Sequence, residues 1–386
     1  MIEFLSPVEK AVLAHKEVLP EGTIGKMIQA HADSGVIPQM GAGDVAILGV
    51  LENRRDVDYL GEVVELDPYR MALYSLYPGN WTRSIVDLGD IRPGETTEDS
   101  YFALRTVVEA LLKEKVIPII LGGSQDLVYS QYRAYDKRGS MVNLVNVDSN
   151  FDLGDAEKPI SSKSYVGKII VDEPYNLFNY SVVGYQSFYN PPAEIALMDR
   201  LYFDAYRLGA VTADITLIEP VMRDADVVVM DMAAIMSSSY NYQKDRPNGF
   251  NGREICAISR YAGISNRVSS FGLYQLKKAK GGEAGAMLAA QIIWYFMEGV
   301  NFRVADEDFE NPDFFATYKV PVEDEVLVFK KSLKTGRWWV ELPFISSIDN
   351  KLKRRTLLPC TYGDYLGATN QEIPERWYKA RRKNEV

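Results

Sequence analysis

Short apolar runs that alternate with helical segments are the feature that most constrains the fold of residues 44–300. Runs such as 44–50, 116–121 and 142–147 have the length of ordinary strands. They are apolar throughout rather than at every second residue, which is typical of strands that are buried on both faces. About eight such strands with helices between them predict a mainly parallel sheet in a three-layer α/β/α sandwich.

Polar and acidic residues follow three of these runs at the point where each predicted strand ends. They are, in chain order, Ser124, Gln125 and Asp126, then Asp148, Asn150 and Asp152, then Asp231 and Ala233 beyond it. Ligands of open parallel sheets bind beyond the carboxyl ends of the strands. We therefore expect these residues to surround one site.

The composition excludes several classes of function. Hydrophobic residues make up 47% of the chain and charged residues 25%, which is an ordinary globular composition. The formal net charge of −10 argues against nucleic acids and anionic membranes as partners. The N-terminal residues lack the form of a signal peptide, and polar Gln291 and Glu298 interrupt the apolar stretch 284–300. We expect a cytoplasmic protein without a membrane span.

Cysteine and histidine are scarce, which limits the available chemistry. The two cysteines, Cys256 and Cys360, allow neither a disulfide scaffold nor a zinc site of the CxxC type. The two histidines, His15 and His31, both lie in the N-terminal segment. A histidine base or metal ligand would have to come from that segment.

The character of the sequence changes near residue 306. The segments 325–331 and 337–342 flank a short Gly-containing turn and predict a β-hairpin. We predict an α/β domain over residues 1–305 and an extension over residues 306–386 that packs on it. The irregular segment 237–252 is interpreted as a lid or an interaction surface.

Two shorter segments carry local predictions. Residues 207–211 are predicted to form a short strand. Residues 214–219 are predicted to form a weak helix that Pro220 ends, because proline lacks a backbone donor.

The order and spacing of the three polar strand ends, together with Asp87-Leu88-Gly89-Asp90, resemble the ureohydrolase superfamily of arginase, agmatinase and formimidoylglutamase. The resemblance covers residues 44–300. It implies an eight-stranded parallel sheet in an α/β/α sandwich. In the family, strand ends of the forms Gly-Gly-Asp-His, Asp-Ala-His-x-Asp and Asp-x-Asp supply six ligands to two manganese ions. The cluster ionises a water that attacks an amidine or guanidine carbon.

Only half of that ligand set transfers to this chain. Asp148, Asp152 and Asp231 match the family motifs and are the candidate metal ligands. The departures from the motifs are Ser124 for an Asp, Gln125 for a His, Asn150 for a His and Ala233 for an Asp, with Gln275 near the family's substrate-side Glu and Asp126 as the first candidate to replace a lost ligand. An amide is a weak neutral donor for manganese, and an alanine donates nothing.

Two hypotheses follow. In the first, the chain has lost the binuclear manganese centre and hydrolase activity, needs no cofactor, and acts as a ligand- or partner-binding pseudoenzyme. A small cationic or amidine-like molecule would then take the place of the metals among the three aspartates. In the second, it hydrolyses C–N bonds of linear amidines, as formimidoylglutamase or agmatinase does, with a rearranged site or a single Mn or Mg ion. The first is favoured because the chain beyond His31 contains no histidine that could replace the lost ones.

Two further expectations accompany these hypotheses. The aspartates could also serve only structure, by capping helices or accepting hydrogen bonds from loop amides. No catalytic residue is assigned. The trimers and hexamers of the family raise the expectation of a homo-oligomer.

Overall fold

The computed structural model describes residues 1–33, 35–57, 61, 64–240, 246–276, 283–342 and 356–385. The strands are β1 Gln29–Ala30, β2 Val45–Val50, β3 Ile85–Ile91, β4 Ile117–Gly122, β5 Val142–Val147, β6 Leu177–Tyr185, β7 Asp204–Arg207, β8 Val227–Asp231, β9 Ser270–Tyr274, β10 Phe315–Val322, β11 Glu325–Ser332, β12 Trp338–Leu342 and β13 Thr356–Cys360. The α-helices are α1 Lys10–Val18, α2 Ile24–Met27, α3 Asp67–Tyr74, α4 Thr97–Lys113, α5 Leu127–Arg133, α6 Tyr165–Val171, α7 Pro192–Arg200, α8 Leu208–Ala213, α9 Glu219–Asp224, α10 Gly252–Ile264, α11 Glu283–Asn301, α12 Tyr362–Thr369 and α13 Glu375–Glu385.

Nine strands form the central sheet, in the order β1-β3-β2-β4-β9-β8-β5-β6-β7. Every neighbouring pair is parallel, which confirms the predicted parallel α/β sandwich. The prediction of eight strands was short by one, because the two-residue strand β1 adds to the edge beside β3. A strand of two residues leaves no periodic signal in a sequence.

Successive residues of the strands point into two different cores, which explains why the strands are apolar throughout. On β2, Val45 and Ile47 pack into a core that contains residues of α1, α3, α10 and α11. Ala46 and Leu48 pack into a second core with residues of α4, α5, α6 and α7. The sheet is therefore the middle layer between two layers of helices.

Two local predictions were wrong. The segment predicted as a strand at 207–211 is the end of β7 followed by the helix α8, in which Leu208 and Val211 have helical spacing. The predicted weak helix at 214–219 is present as a 3₁₀-helix at Ile215–Ile218, but Pro220 does not stop the helical chain, because it lies in the first turn of the following helix α9. A proline is tolerated there because the first N–H groups of a helix have no intrahelical partner.

A second sheet of four antiparallel strands, β10-β11-β12-β13, lies in the predicted extension. It contains the predicted hairpin as β11 and β12, with Phe329 opposite Val340. Arg223 on α9 links this sheet to the central one. Its guanidinium donates to the carbonyls of Trp338 at 3.0 Å and Cys360 at 3.2 Å and lies 4.4 Å from the centre of the Trp339 ring. The boundary at residue 305 stays a prediction.

The predicted lid segment is described in part. Ile235 forms a β-bridge with Phe250, and residues 241–245, which include Tyr242, lie outside the described residues. None of the helices that the structure describes combines the length and apolarity that crossing a membrane requires.

Candidate functional site

Three buried carboxylates lie at the carboxyl edge of the central sheet. Asp148 follows β5, Asp231 ends the neighbouring strand β8, and Asp152 lies in the loop after β5 with a left-handed φ of 54°. Their exposed fractions are 0%, 1% and 2% for Asp148, Asp231 and Asp152. The strand order changes direction at this point, because β9 and β8 lie between the consecutive strands β4 and β5. The sequence placed these aspartates correctly at the switch point of the sheet.

Lys163, in the loop before α6, places its ammonium at this site. Its Nζ lies 3.1 Å from Oδ1 of Asp152, and 30% of the Lys163 side chain is exposed. Burial opposes the charged form of Lys163, but Asp152, Asp148 and Asp231 outweigh it and raise the pKa of the ammonium above its usual value. The lysine therefore stays protonated. Sequence reasoning missed it, since no motif contains it.

Asp148 is held by hydrogen bonds from the residues that replace family histidines. The Gln125 amide donates to Oδ2 at 2.8 Å, and the backbone N–H of Asn150 donates to Oδ1 at 3.0 Å. Burial works against the charge of Asp148, but Lys163 and these hydrogen bonds hold its pKa below the usual value. Asp148 is thus the ionised member of the group.

Asp152 and Asp231 differ from Asp148. Burial raises the pKa of Asp152 well above its usual range, although Lys163 opposes this. Burial and the charge of Asp148 raise the pKa of Asp231 to about 7, against the effect of Lys163. The N–H of Ala233 donates to Oδ1 of Asp231 at 2.6 Å. The side chain of Asp152 shares a hydrogen bond with Asp148, whereas Oδ2 of Asp231 is buried without a hydrogen-bond partner in the described ranges.

Ser124 and Asp126 do not join the three aspartates. Ser124 and Tyr101 both donate hydrogen bonds to the Asp126 carboxylate, one to each oxygen. Burial raises the pKa of Asp126 to about 6, and these hydrogen bonds limit the rise. Asp126 therefore uses both carboxylate oxygens in a cluster on the α4 side of the strand end, and its role as a replacement ligand stays a prediction. Of the Ser124-Gln125-Asp126 segment, only Gln125 contacts Asp148.

Arg246 lies above the acidic group. Its guanidinium donates to Ser149 Oγ at 2.5 Å and to Asn150 Oδ1 at 3.3 Å, and its centre lies 4.7 Å from the centre of the Tyr189 ring. The Asn150 amide nitrogen in turn donates to the carbonyl of Tyr189 at 3.0 Å. Asn150 stands where the family has a histidine. Its side chain instead holds the loop that contains Tyr189 and the Arg246 guanidinium.

Gln275 follows β9 at the same edge of the sheet. Its backbone N–H donates to the carbonyl of Gly123 at 2.7 Å, and its φ is 62°. Its side-chain oxygen is buried and has no hydrogen-bond partner in the described part of the chain. Gln275 therefore lies beside the turn that carries Gln125, as its predicted position near the family glutamate implies.

A two-manganese cluster does not fit these residues. Among the residues that the structure describes, no group of three or more His, Cys, Asp or Glu side chains is arranged to hold a metal ion. The Gln125 amide presents a donor to Asp148, and the Lys163 ammonium lies at Asp152. A protonated amine and an N–H donor both repel a cation. As oriented here, Lys163 and Gln125 therefore cannot serve as metal ligands.

Fold and site together define a protein of the ureohydrolase class, with acidic strand ends at the carboxyl edge of a parallel sheet. The model of the arginase family matches residues 65–298, which is more than half of the chain. The chain belongs to the arginase family.

Curated relatives point to one branch of that family. A formimidoylglutamase of Corynebacterium efficiens is 33% identical over 101 residues, which are 25% of this chain and 31% of that protein. A formimidoylglutamase of Geobacillus is 22% identical over 204 residues, which are 50% of this chain and 62% of that protein. The chain thus spans between about a third and three fifths of the lengths of these relatives.

Solved structures agree on the fold. The formimidoylglutamase of Bacillus subtilis has a TM-score of 0.62 at 16% identity, over 76% of this chain and 99% of that chain. A Trypanosoma cruzi formiminoglutamase with Mn²⁺ has a TM-score of 0.60 at 16% identity, over 68% of this chain and 94% of that chain. At this identity the likeness establishes the fold alone.

Proposed function

We propose that this formimidoylglutamase-like protein has lost the dinuclear manganese centre and amidine hydrolysis, and acts by binding a ligand or a partner. The observation that carries the proposal is the hydrogen bond from the Gln125 amide to Asp148 at 2.8 Å. Oxygen and nitrogen cannot be told apart by shape in an amide, but a carboxylate acceptor accepts only from the NH₂ group. Gln125 thus turns a donor, not a ligand, toward the site.

The other replaced positions agree with this proposal. The Asn150 side chain forms hydrogen bonds with Ser149, Tyr189 and Arg246. Ala233 contributes only a backbone N–H, which donates to Asp231. Each of the three replaced ligand positions, Gln125, Asn150 and Ala233, now holds a hydrogen-bond donor or a structural contact. Hydrolysis by a metal-bound hydroxide needs fixed ligands for the ions, and these positions supply none.

A cavity beside the acidic site gives the binding role a location. It has a volume of about 400 Å³ and lies where β6 and β7 end. Its wall includes the charged residues Arg207 and Glu254 and the aromatic Phe188, which is 71% exposed. Gln186 connects it to the site, since its backbone N–H donates to Ser149 O at 3.1 Å. Cavities of this size accommodate small molecules.

Metal content and activity test the proposal together. The full chain, purified from cells grown with added Mn²⁺, is analysed for bound metal by inductively coupled plasma mass spectrometry. The same preparation is assayed for hydrolysis of N-formimidoyl-glutamate and agmatine, with an active formimidoylglutamase as the positive control. We expect less than stoichiometric manganese and no turnover above the buffer blank.

The opposite result would restore the hydrolase alternative. About two manganese ions per chain together with turnover of a linear amidine would refute the loss of the metal centre. A single ion with turnover would refute the loss of activity and support a rearranged site.

A further inference from the structure

The Lys163 ammonium contacts a fully buried carboxylate at the place where the fold family binds its metals. We propose that Lys163 is the resident cation of the acidic site and that its ammonium replaces the metal charge. This assignment rests on the proposed function, since it explains how the three aspartates persist without a metal. The geometry that supports it is the 3.1 Å separation between Lys163 Nζ and Asp152 Oδ1.

Charge balance supports the assignment. Three buried aspartates at the carboxyl edge of the sheet repel one another unless protons or a cation reduce their negative charge. Lys163 interacts electrostatically with all three, Asp152 first, then Asp148 and Asp231. Arg246 is also nearby, but its described side-chain hydrogen bonds go to Ser149 and Asn150 rather than to the aspartates. Lys163 is therefore the cation in direct contact with the acidic group in the described part of the chain.

An unpaired acceptor also favours an ammonium. Oδ2 of Asp231 is buried without a hydrogen-bond partner among the described residues, and the side chain of Asp152 shares a hydrogen bond with Asp148. An ammonium carries three donors on a flexible stem, so small movements let it serve several acceptors in turn. A tethered cation also competes at a high effective concentration against any free cation. Metals and external amidinium ions are then excluded from the aspartates by the chain itself.

Removal of the ammonium tests this assignment. In K163A, manganese binding is measured by isothermal titration calorimetry and by loss of the free Mn²⁺ signal in electron paramagnetic resonance. We expect K163A to bind one Mn²⁺ at least about tenfold more tightly than the wild type, because the tethered competitor is gone. Propylammonium chloride should also raise the melting temperature of K163A relative to tetramethylammonium chloride at equal ionic strength.

Two variants provide the controls. K163R keeps the positive charge and should gain no manganese binding. K158A removes another lysine of the same loop region, one that is 76% exposed and pairs with Asp155 at 3.5 Å. It should behave as the wild type in both titrations.

A measurement on the unmodified protein covers the case in which K163A fails to fold. Lysines of the native wild type are acetylated with an N-hydroxysuccinimide ester and quantified by peptide mass spectrometry. Lys163 should react at least about tenfold more slowly than Lys158, because its Nζ lies against Asp152 and its side chain is 30% exposed, against 76% for Lys158.

The outcomes separate the two proposals. Wild-type protein with two tightly bound manganese ions would refute the proposed function. Metal-free wild type with no gain of Mn²⁺ affinity in K163A and no effect of propylammonium would refute only the role of Lys163. Equal acetylation rates for Lys163 and Lys158 would refute it as well.

Discussion

Asp231 determines how the stability of the site depends on pH. Its pKa is about 7 in the folded chain, against about 3.9 for an ordinary aspartate. The folded state therefore holds a proton that the unfolded state has lost between these two pH values. The free energy of unfolding falls as the pH rises through this window, because unfolding then releases that proton. Asp152 acts in the same direction.

D231N removes this titration. The urea midpoint of the wild type should be lower at pH 8 than at pH 5.5, and the difference should be smaller in D231N. D155N, at a residue that is about half exposed, should keep the wild-type difference. An unchanged pH dependence in D231N would show that Asp231 titrates normally in the folded protein.

The two cysteines should be unreactive in the native protein. Cys256 and Cys360 are both free thiols with exposed fractions of 4% and 5%. Burial raises the pKa of Cys256 to about 12, and burial also raises that of Cys360. Because the thiolate is the reactive form, Ellman's reagent at pH 8 should label neither residue until urea is added. Rapid labelling of either thiol in the native protein would contradict the burial of Cys256 and Cys360.

The positions of the site residues could be predicted from the sequence where a residue directly follows a buried strand, but not where a loop brings it to the site. Asp148 and Asp231 follow apolar runs, so their meeting at one edge follows from the parallel sheet. Lys163 lies in a loop, and its approach to Asp152 depends on the path of the chain between them, which no periodicity encodes. The separation of Asp126 from the site depends on Tyr101, which comes from a different element.

Among the elements, β2 depends most clearly on the absence of a side chain. A Cβ at Gly49 would lie 1.8 Å from Oδ1 of Asp90 and 2.9 Å from a guanidinium nitrogen of Arg70. These groups form a buried ion pair, with Arg70 Nη1 2.8 Å from Asp90 Oδ1 and both side chains nearly inaccessible. Neither group can move away without leaving a buried charge unpaired.

Gly49→Ala should therefore destabilise the protein by about 1–3 kcal/mol, as overpacking of a core does. Gly209→Ala in α8 is the matched control, since a Cβ there meets no atom of the described residues within 4 Å. That substitution should be neutral or stabilise by about 0.4–1 kcal/mol through the unfolded state. The free energies of unfolding come from urea titrations, and equal values for the two variants would refute the steric argument.

The long elements were predictable because their burial pattern is repeated many times. The helix α4 is an example, since its buried residues recur at helical spacing over 17 residues and it begins at a capping box between Thr96 and Asp99. The two edge strands of the second sheet were not predicted, and each contains a proline, Pro321 in β10 and Pro359 in β13. Proline weakens a strand signal, although an edge strand tolerates it.

On the scale of the whole molecule, buried ion pairs join the C-terminal helix to the central sheet. Arg376 on α13 lies 3.2 Å from Asp224 on α9, and the exposed fractions of the two side chains are 17% and 11%. Arg376 also donates to the carbonyl of Pro359 at 2.6 Å. Its Nε lies 3.8 Å from Oδ2 of Asp204 on β7, so the helix contacts both sheets through one guanidinium.

R376A should lower the free energy of unfolding by roughly 1.5–3 kcal/mol, the usual cost of losing a hydrogen bond to a charged group. The control R92A breaks an exposed pair with Glu9, whose side-chain exposures are 63% and 50%, and should cost less than about 1 kcal/mol. Similar losses in both variants would mean that the interface around Arg376 contributes little to stability. The sequence predicted that the extension packs on the domain, but not which charges do so.

The central claim is that a lysine ammonium, not a pair of manganese ions, neutralises the acidic strand ends. Crystals of the full chain grown with Mn²⁺ and measured on both sides of the manganese absorption edge test it most directly. We expect no anomalous peak among Asp148, Asp152 and Asp231, with Lys163 Nζ at ion-pair distance from Asp152. Two anomalous peaks between these carboxylates, with the Lys163 side chain turned away from them, would contradict it.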